Sequence, residues 1–354
     1  MDPILIHLIK IVGVVGVLLF ICAYVVLAER RVCAFIQDRL GPNRVGIPIW
    51  IRKDGSAIQI GARWALGQPI IDALKAILKE DFVPGHVNKF YFWLGPMLVM
   101  APALMVWAAI PFGSTLCGVP MIVADINVGI LFVFAFASLG VYGIVLGGWA
   151  SNSKYPFLGG IRSSAQLISY ELCLGLSVIP LFMQVGSLRL TEVVLWQTEH
   201  LWLICYPWNW LPAIIYVASS FAETNRAPFD LPEAEQELAG GYNTEYSSMK
   251  FAMFFLAEYA NMITASALMV VLFLGGWHLP FVPVSGGIVV GIAHICIFLA
   301  KVCALALVFI WVRWTVPRVR YDQLMGLGWK VFLPLALASV LIAGLAIAAG
   351  WSPP

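Results

Sequence analysis

Long runs of apolar residues dominate the chain, and short polar stretches separate them. A helix needs about 20 apolar residues to cross a hydrocarbon core of roughly 30 Å. By that criterion, eight runs predict membrane-spanning helices, at residues 4–28, 91–112, 126–150, 159–184, 208–224, 251–274, 290–312 and 332–350. The fourth run is the weakest, because its first half, GGIRSSAQLISYE, is polar. The segment at 278–290 predicts a turn or re-entrant piece between two spans.

A further helix is predicted inside the long segment 29–90, at about residues 68–80. Its sequence places Ile70, Ile71, Leu74, Ile77 and Leu78 on one face, opposite Asp72, Lys75 and Lys79. This pattern is typical of an amphipathic helix that lies in the membrane interface or against a partner protein. The predicted fold class is therefore all-α: a single polytopic membrane domain over residues 1–354, with eight transmembrane helices and one amphipathic helix.

The composition excludes several classes of protein. The chain is 61% hydrophobic and 11% charged, whereas a soluble globular chain is roughly 45–50% apolar and about 25% charged. Soluble enzymes, nucleic-acid-binding modules and disordered scaffolds are thereby excluded. A transmembrane barrel is disfavoured as well, because its strands alternate polar and apolar residues and the runs here are continuous.

The positions of the basic residues predict the orientation. Segments 29–90, 151–158, 225–250 and 313–330, all on one side of the predicted bilayer, carry 17 of the 21 Lys and Arg residues. By the positive-inside rule, these segments are cytoplasmic. Both termini are then expected on the outer, periplasmic side.

Cysteine and histidine are too scattered for a metal or redox site. The seven cysteines include no C-x-x-C pair, and the five histidines include no i,i+4 pair. Iron–sulfur and zinc sites need such clustered ligands. We therefore expect this chain to hold no cofactor of its own.

Ionisable residues inside the apolar runs indicate function. Glu171, Glu223, Glu258 and Lys301 fall within or at the ends of predicted spans, where ionisable groups are costly and usually mark a water-filled path or a buried pair. One such residue alone is as readily explained by a structural ion pair. Several carboxylates in neighbouring helices can instead hold or pass protons near neutral pH.

The third cytoplasmic segment, 225–250, is acidic on the side where loops are usually basic. It contains five acids, namely Asp230, Glu233, Glu235, Glu237 and Glu245, and two bases, Arg226 and Lys250. Segment 29–90 has the opposite balance, with ten bases against six acids. A basic loop beside an acidic one predicts a docking surface for another subunit.

Four sequence blocks resemble the family of H-type membrane subunits (also called subunit 1) of respiratory complex I, the proton-pumping NADH:quinone oxidoreductase. They are AERRVCAFIQDRLGPNRVG (28–46), GGIRSSAQLISYELCLGLS (159–177), FAETNRAPFDLPEAEQELAGGYNTEYSSMKFAMFFLAEYANM (221–262) and RVRYDQLMGLGWKVFLPL (318–335). The resemblance implies eight tilted helices and a chamber for a quinone substrate. It implies hydrophilic partner subunits at the cytoplasmic loops, which hold FMN and iron–sulfur clusters, and antiporter-like membrane subunits at the side. It also implies a lipid bilayer setting, and the length favours a bacterial inner membrane.

Matching the family motifs residue by residue implies two sets of site residues. The quinone chamber would include Arg39, Arg44, Asp72, Arg226, Phe229, Arg318 and Arg320. The proton pathway would include Glu171, Glu223, Asp230, Glu233, Glu237, Glu245 and Glu258, to which the membrane-depth Lys301 is added.

One departure from the family affects the expected chamber. About twenty residues, IPIWIRKDGSAIQIGARWAL, separate the GPNRVG motif from the start of the amphipathic helix, where the family normally has only a few. Ile71 also replaces the family's usual small residue. The family's shape for the mouth of the chamber is therefore not carried over to this chain.

Two other functions compete with this one. The related membrane subunit of a membrane-bound hydrogenase would lack quinone chemistry and would keep only part of the NRAPFDLPEAEQELAGGYNTEYS run. A stand-alone proton- or cation-coupled transporter could be built around Glu171, Glu258 and Lys301, and inverted repeats would favour it. The chain shows no clear repeat.

Overall fold

The computed structural model describes residues 3–51, 57–116, 118–230, 240–280, 282–284 and 287–351, which are mostly helical. The helices are α1 (Pro3–Ile36), α2 (Gln68–Leu78), α3 (Lys89–Met105), α4 (Gly129–Ala150), α5 (Lys154–Val185), α6 (Leu190–Glu199), α7 (Trp210–Glu223), α8 (Ser248–Phe273), α9 (Ile288–Thr315), α10 (Tyr321–Gly326) and α11 (Leu333–Ala348). Single 3₁₀ turns lie at Ala62–Trp64, Val106–Ala108, Leu203–Cys205, Pro207–Asn209 and Gly241–Asn243. In the described ranges, seven helical stretches are long and apolar enough to cross a membrane.

The connecting segments lie at two ends of the helix bundle. At one end, the Asn152 side chain donates to the His86 carbonyl, and the Val319 amide donates to the Pro228 carbonyl. We call this the basic end; it carries segments 37–51, 57–88, 151–153, 224–230, 240–247 and 316–320. At the opposite end, the Lys10 ammonium donates to the Ile122 carbonyl. The described part of the predicted turn at 278–290 also lies there: residues 278–280, 282–284 and 287 are outside any helix, and residue 288 begins the next one.

Helix α8 forms the centre of the bundle. It packs against α1, α3, α6, α7 and α9, and 78% of its most apolar window is buried, compared with 22% for α1. Helix α8 is nevertheless the less hydrophobic of the two, with a mean hydropathy of 1.6 against 2.9 for α1, because protein neighbours can pair its polar side chains. Helices α3 and α4 also pack closely, since a Cβ at Gly143 would lie 2.5 Å from the Val99 side chain.

Most predicted spans are confirmed as helices, but their ends differ. The polar start of the fourth run is helical from Lys154 onward, because that part of α5 packs against α4 and α7. Helix α1 continues to Ile36, eight residues beyond the predicted end. The last span begins at Tyr321, and a π-helical turn at Leu327–Phe332 joins α10 to α11. Helix α7 has only 14 residues.

The segment that departs from the family forms a small hairpin. Strand β1 (Ile47–Ile51) pairs antiparallel with β2 (Ala57–Ile60), and Ile47 lies opposite Ile60. A second, two-residue pair, β3 (Thr115–Leu116) and β4 (Val119–Pro120), lies at the opposite end. After the first hairpin the chain turns through a 3₁₀ segment and enters α2. This helix has a proline in its first turn, where the missing amide hydrogen is not needed.

Candidate functional site

Three glutamates meet in an enclosed cavity inside the bundle, among α3, α4, α5, α7 and α8. Its volume is about 60 Å³, and one water molecule needs roughly 10–15 Å³ of such space. Glu171, Glu223 and Glu258 line it. Its other polar lining residues are Tyr216, Thr224, Asn225, Tyr242, Asn261 and Thr264. This carboxylate cavity therefore has room for several water molecules between acids of three helices.

Two of these carboxylates accept hydrogen bonds from hydroxyl groups. The Ser138 hydroxyl donates to Glu171, and the Tyr242 hydroxyl donates to Glu258 over 2.8 Å. Ser138 has a second acceptor, the Phe134 carbonyl at 2.8 Å, although a hydroxyl carries only one proton. It can turn to Phe134 and accept a hydrogen bond from a protonated Glu171. A hydroxyl partner thus suits both protonation states of a carboxyl group, whereas a guanidinium can only donate.

A larger cavity opens at the basic end, between α1, α8 and α9. Its volume is about 540 Å³, within the roughly 300–1,000 Å³ that small-molecule sites usually have. Its lining residues are Val26, Glu29, Arg30, Cys33, Arg39, Gly41, Pro42, Phe255, Tyr259, Arg313 and Trp314. The Arg39 guanidinium donates to the Cys33 sulfur over 3.5 Å. This open cavity combines aromatic and apolar walls with cationic donors.

The open cavity contains a buried charge cluster around Glu29. The Glu29 carboxylate lies 3.6 Å from the Arg226 guanidinium, is bonded to Arg313, and accepts a 2.6 Å hydrogen bond from the Tyr259 hydroxyl. Arg226 also stacks on the Tyr259 ring at 4.1 Å. Since Glu29 and Arg226 are only 6% and 4% exposed, each charge depends on the others for the stabilisation that water would otherwise give.

Adjacent residues of two segments face the two cavities. Asn225 lines the carboxylate cavity, whereas Arg226, the next residue, contacts Glu29 in the open cavity. On α8, Glu258 likewise lines the carboxylate cavity, and the next residue, Tyr259, lines the open cavity. The Asn225 backbone has a φ of 49°, a left-handed conformation that asparagine tolerates better than most residues. Just after α7 ends, the Arg226 amide donates back to the Phe221 carbonyl over 3.3 Å, so the chain leaves the helical path at this point.

The segment that follows α7 is held in place by α5. The Gln166 side-chain amide donates to the Ala222 carbonyl over 2.7 Å and to the Phe229 carbonyl over 2.8 Å, so one amide spans the segment. The Phe229 ring stacks on Tyr170 with 6.1 Å between centroids. Gln166 is fully buried, and burial raises the cost of losing the hydrogen bonds that its amide nitrogen donates.

Two ion pairs connect other predicted residues to this end. Asp230 lies 3.1 Å from the Arg318 guanidinium, which joins the segment after α7 to the segment before α10. Asp72 on α2 lies 2.8 Å from Arg30 on α1. The Gln68 amide also donates to Asp72 over 2.8 Å. Helix α2 is thereby fixed to the outer side of α1, next to the open cavity.

Comparison with known proteins identifies the family. The family model described as NADH dehydrogenase matches residues 9–344. Over 343 residues, the chain is 49% identical to an H-type subunit (the one numbered 1) of the NADH-quinone oxidoreductase of Geobacter metallireducens, covering 96% of this chain and 95% of the relative. The chain belongs to the family of H-type subunits of NADH-quinone oxidoreductase.

Other members of the H-type family are nearly as similar. The H-type subunit numbered 2 of Syntrophobacter fumaroxidans is 48% identical, with 95% of this chain and 94% of the relative covered. The H-type subunit of Paramagnetospirillum magneticum is 47% identical, with 99% and 94% covered. The family resemblance drawn from the four sequence blocks is thus confirmed, and these relatives favour it over the hydrogenase and transporter alternatives.

The remaining predicted residues lie apart from the two cavities or outside the described residues. Arg44 and Arg320 are exposed, and Glu245 is half-buried between the last 3₁₀ turn and α8. Glu233 and Glu237 fall in 231–239, outside the described residues. In this member of the H-type family, Glu29 thus joins the predicted Arg226 to Arg313, and Asp230 pairs with Arg318.

Lys301 lies at the opposite end from the charge cluster. Its ammonium donates to the carbonyls of Leu274, Gly276 and His278, over 2.6, 3.0 and 2.7 Å. These carbonyls follow the end of α8, where a cation satisfies otherwise unpaired acceptors and the negative end of the helix dipole. The geometry favours a helix-capping role, and the relay role stays a prediction.

Sequence reasoning missed several residues of the site. Glu29 and Arg313 fall just outside the predicted spans, so a search for ionisable groups at membrane depth passes over them. Ser138, Gln166 and Tyr259 are common residue types in helices, and only their contacts single them out. A usable signal existed for Glu29, since it is the first charge after an uninterrupted apolar run from residue 11.

No cluster for a metal appears in the part of the chain that the structure describes. Within those ranges, no group of three or more His, Cys, Asp or Glu side chains is placed to hold a metal ion. The polar groups that line the two cavities are mainly carboxylates, guanidinium groups, hydroxyls and side-chain amides. Their chemistry is hydrogen bonding, proton holding and recognition of a polar headgroup.

Proposed function

We propose that this chain forms the quinone-binding chamber of a proton-pumping NADH:quinone oxidoreductase and connects quinone reduction to proton translocation. One observation carries the proposal: two pairs of adjacent residues, Asn225–Arg226 and Glu258–Tyr259, connect the carboxylate cavity to Glu29 and the lining of the open cavity. A change of charge in one cavity then acts on the other through the same short segments of backbone.

The open cavity is the proposed quinone site. A quinone headgroup has two carbonyl oxygens, which arginine and tyrosine side chains can recognise as donors, and an apolar tail, which suits Phe255 and Trp314. The tail would enter where α2 meets α1 and α8. The proposed chamber residues are Arg39, Arg44, Asp72, Arg226, Phe229, Arg318 and Arg320, to which Glu29 and Tyr259 are added. The electrons would come from FMN and iron–sulfur clusters in partner subunits.

The carboxylate cavity is the proposed beginning of a proton pathway. Glu171, Glu223 and Glu258 would exchange protons through the water that the cavity has room for. The proposed pathway also includes Asp230, Glu233, Glu237, Glu245 and Lys301. Reduction of the quinone would change the charge that Arg226 and its neighbours experience. The segment after α7 would transmit that change, because Gln166 and Asp230 attach it to α5 and to the segment before α10.

The proposed membrane arrangement has eight spans. Helix α7, with 14 residues, is about 21 Å long and would complete its span with the 3₁₀ turns that precede it. The basic end would face the cytoplasm, with both termini periplasmic, and would dock the hydrophilic subunits. Small and antiporter-like membrane subunits would lie at the side. The exposed Ile70, Leu74, Ile77 and Leu78 of α2 would lie in the cytoplasmic interface of a bacterial inner membrane.

Two neutralising substitutions test the proposal in assembled membranes. Glu171→Gln and Asp230→Asn are each expected to abolish quinone-dependent proton pumping while the complex still assembles, with NADH oxidation by a water-soluble acceptor as the measure of intact partner subunits. Glu199→Gln, at an exposed acid of the opposite end, serves as the matched control. Wild-type quinone reduction and pumping in both variants would overturn the proposal, and activity of the chain purified alone would favour a transporter.

A further inference from the structure

Residues 47–66 form an excursion whose two ends meet. A Cβ built on Gly67 would lie 2.2 Å from the Gly46 carbonyl oxygen and 3.2 Å from the Ile47 amide nitrogen. The chain therefore leaves and returns at one point, and we call the described residues between these two glycines, 47–51 and 57–66, the module. Its strands pair with each other.

Two contacts with α1 place this module at the boundary of the bilayer. The Tyr24 hydroxyl donates to the Leu66 carbonyl over 3.2 Å, and the Arg31 guanidinium donates to the Arg63 carbonyl over 2.7 Å. The predicted first span ends at residue 28. At a rise of about 1.5 Å per residue, Tyr24 lies about 6 Å inside that end and Arg31 about 5 Å outside it. The end of the module that precedes α2 is thus level with the lipid headgroups.

The exposed surface of the module combines apolar and basic groups. Ile60 is 60% exposed and Trp64 is 61% exposed, and the Arg31 guanidinium lies 4.9 Å from the centre of the Trp64 ring. Arg63, next to Trp64, is also exposed. Tryptophan and basic residues are the side chains that favour the headgroup region, and basic residues near a membrane surface are attracted to anionic lipids. The exposed apolar surface continues into α2 at Ile70.

The same arginine joins the module to the open cavity. Besides its bond to Arg63, the Arg31 guanidinium donates to the Pro42 carbonyl over 3.0 Å, and Pro42 lines the open cavity. A force on the module at the membrane surface therefore acts on the wall of that cavity through one side chain.

We infer that the part of the module just before α2, residues 60–66, lies at the membrane surface, binds anionic phospholipid headgroups through Arg63 and inserts Trp64 beside them, and that this contact positions the wall of the open cavity. The lipid contact stands by itself, whereas its effect on quinone access rests on the proposed function.

The lipid contact is tested by fluorescence in the assembled complex. A Trp64→Cys variant, labelled with a polarity-sensitive fluorophore, is reconstituted into phosphatidylcholine vesicles with and without an equal part of phosphatidylglycerol. Because Cys205, Cys296 and Cys303 are also exposed, the fluorescence of unaltered complex treated in the same way is subtracted. The label at position 64 is then expected to be quenched by brominated phosphatidylcholine and shielded from aqueous iodide. Quenching by iodide alone, or shielding from both quenchers, which would indicate a protein neighbour, would overturn the inference.

Substitutions test the charge and the effect on the cavity. Arg63→Gln is expected to raise the phosphatidylglycerol content needed for half-maximal lipid quenching about fivefold, since one basic residue near the surface is worth about 1 kcal/mol. Removal of residues 47–66, with Gly46 joined to Gly67, is expected to raise the KM for a long-tailed quinone several-fold and to leave turnover of a short-tailed quinone unchanged. Trp351→Ser, at a tryptophan that is 71% exposed at the opposite end, is the control.

The outcomes separate the two ideas. Equal KM values for the long-tailed quinone in the deletion and the unaltered complex would refute the effect on the cavity, and Trp64→Ser repeats that measurement if the deletion variant does not assemble. If the proposed quinone function is wrong, Asp230→Asn will show wild-type quinone reduction and pumping. That result would not change the quenching of the label by brominated lipid.

Discussion

Glu29 and Glu258 are both buried glutamates that accept a hydrogen bond from a tyrosine hydroxyl, over 2.6 and 2.8 Å. They differ in their surroundings. Glu29 is also bonded to two guanidinium groups, those of Arg226 and Arg313. Glu258 instead lines a cavity that has room for water and that two further carboxylates, Glu171 and Glu223, also line. The same residue type is thus a fixed counter-ion in one place and a candidate proton carrier in the other.

The difference follows from electrostatics. Glu29 is the anion that Arg226 and Arg313 share, and a buried cation needs such a partner. Hydroxyl groups and water can both donate and accept, so they suit either protonation state of a carboxyl group. The adjacent residues Glu258 and Tyr259 of α8 each line one of the two sites. Substitutions of the same kind at Glu29 and Glu258 therefore test the contrast.

The largest effect is expected for Glu29→Gln. Removing the shared anion leaves Arg226 buried without it, which typically costs about 3–5 kcal/mol. We expect a much lower amount of assembled complex in membranes, measured by immunoblot of this chain after native gel separation. Glu258→Gln, the matched variant, is expected to assemble normally and to lose proton pumping. Normal assembly of both variants, or failure of both, would remove the distinction between the two sites.

A smaller effect is expected for Gln166→Met, which acts between the cavities. The variant loses the hydrogen bonds to the Ala222 and Phe229 carbonyls, which together are worth about 2 kcal/mol. Faster hydrogen exchange is expected in residues 222–229. Gln184→Met, at a buried glutamine near the far end of the same helix, should leave that exchange unchanged. Unaltered exchange in Gln166→Met would show that other contacts hold the segment.

The smallest effect is expected for Tyr242→Phe, which removes the hydroxyl donor to Glu258. A hydrogen bond to a charged group is worth about 1.5–3 kcal/mol, and water in the cavity can replace part of it. We expect normal assembly and fewer protons pumped per quinone reduced. The pumping is measured as proton uptake in vesicles. Tyr246→Phe is the control, since its hydroxyl donates only over 3.3 Å to the Gly147 carbonyl. Pumping equal to that of the control would place Tyr242 outside the proton pathway.

The sequence predicted most of the helices because the bilayer imposes a simple requirement, a long apolar run for each span. It was less successful where neighbouring helices replace lipid. Helix α5 carries polar residues through the bundle because α4 and α7 cover them, and α7 stops after 14 residues because Asn225 turns the chain. The hairpin at 47–60 was recognised as a departure from the family, but its fold was not predicted.

By itself, the sequence determined that this is a mostly helical membrane protein of the H-type family and which carboxylates fall within apolar runs, since both follow from local patterns. Only the tertiary structure decided which charges neutralise one another. Glu29, Arg226 and Arg313 are separated by up to 284 positions along the chain, and no local pattern encodes their meeting. An ion pair depends on distance in space and on the exclusion of water, and both arise only when α1, α8 and α9 pack together.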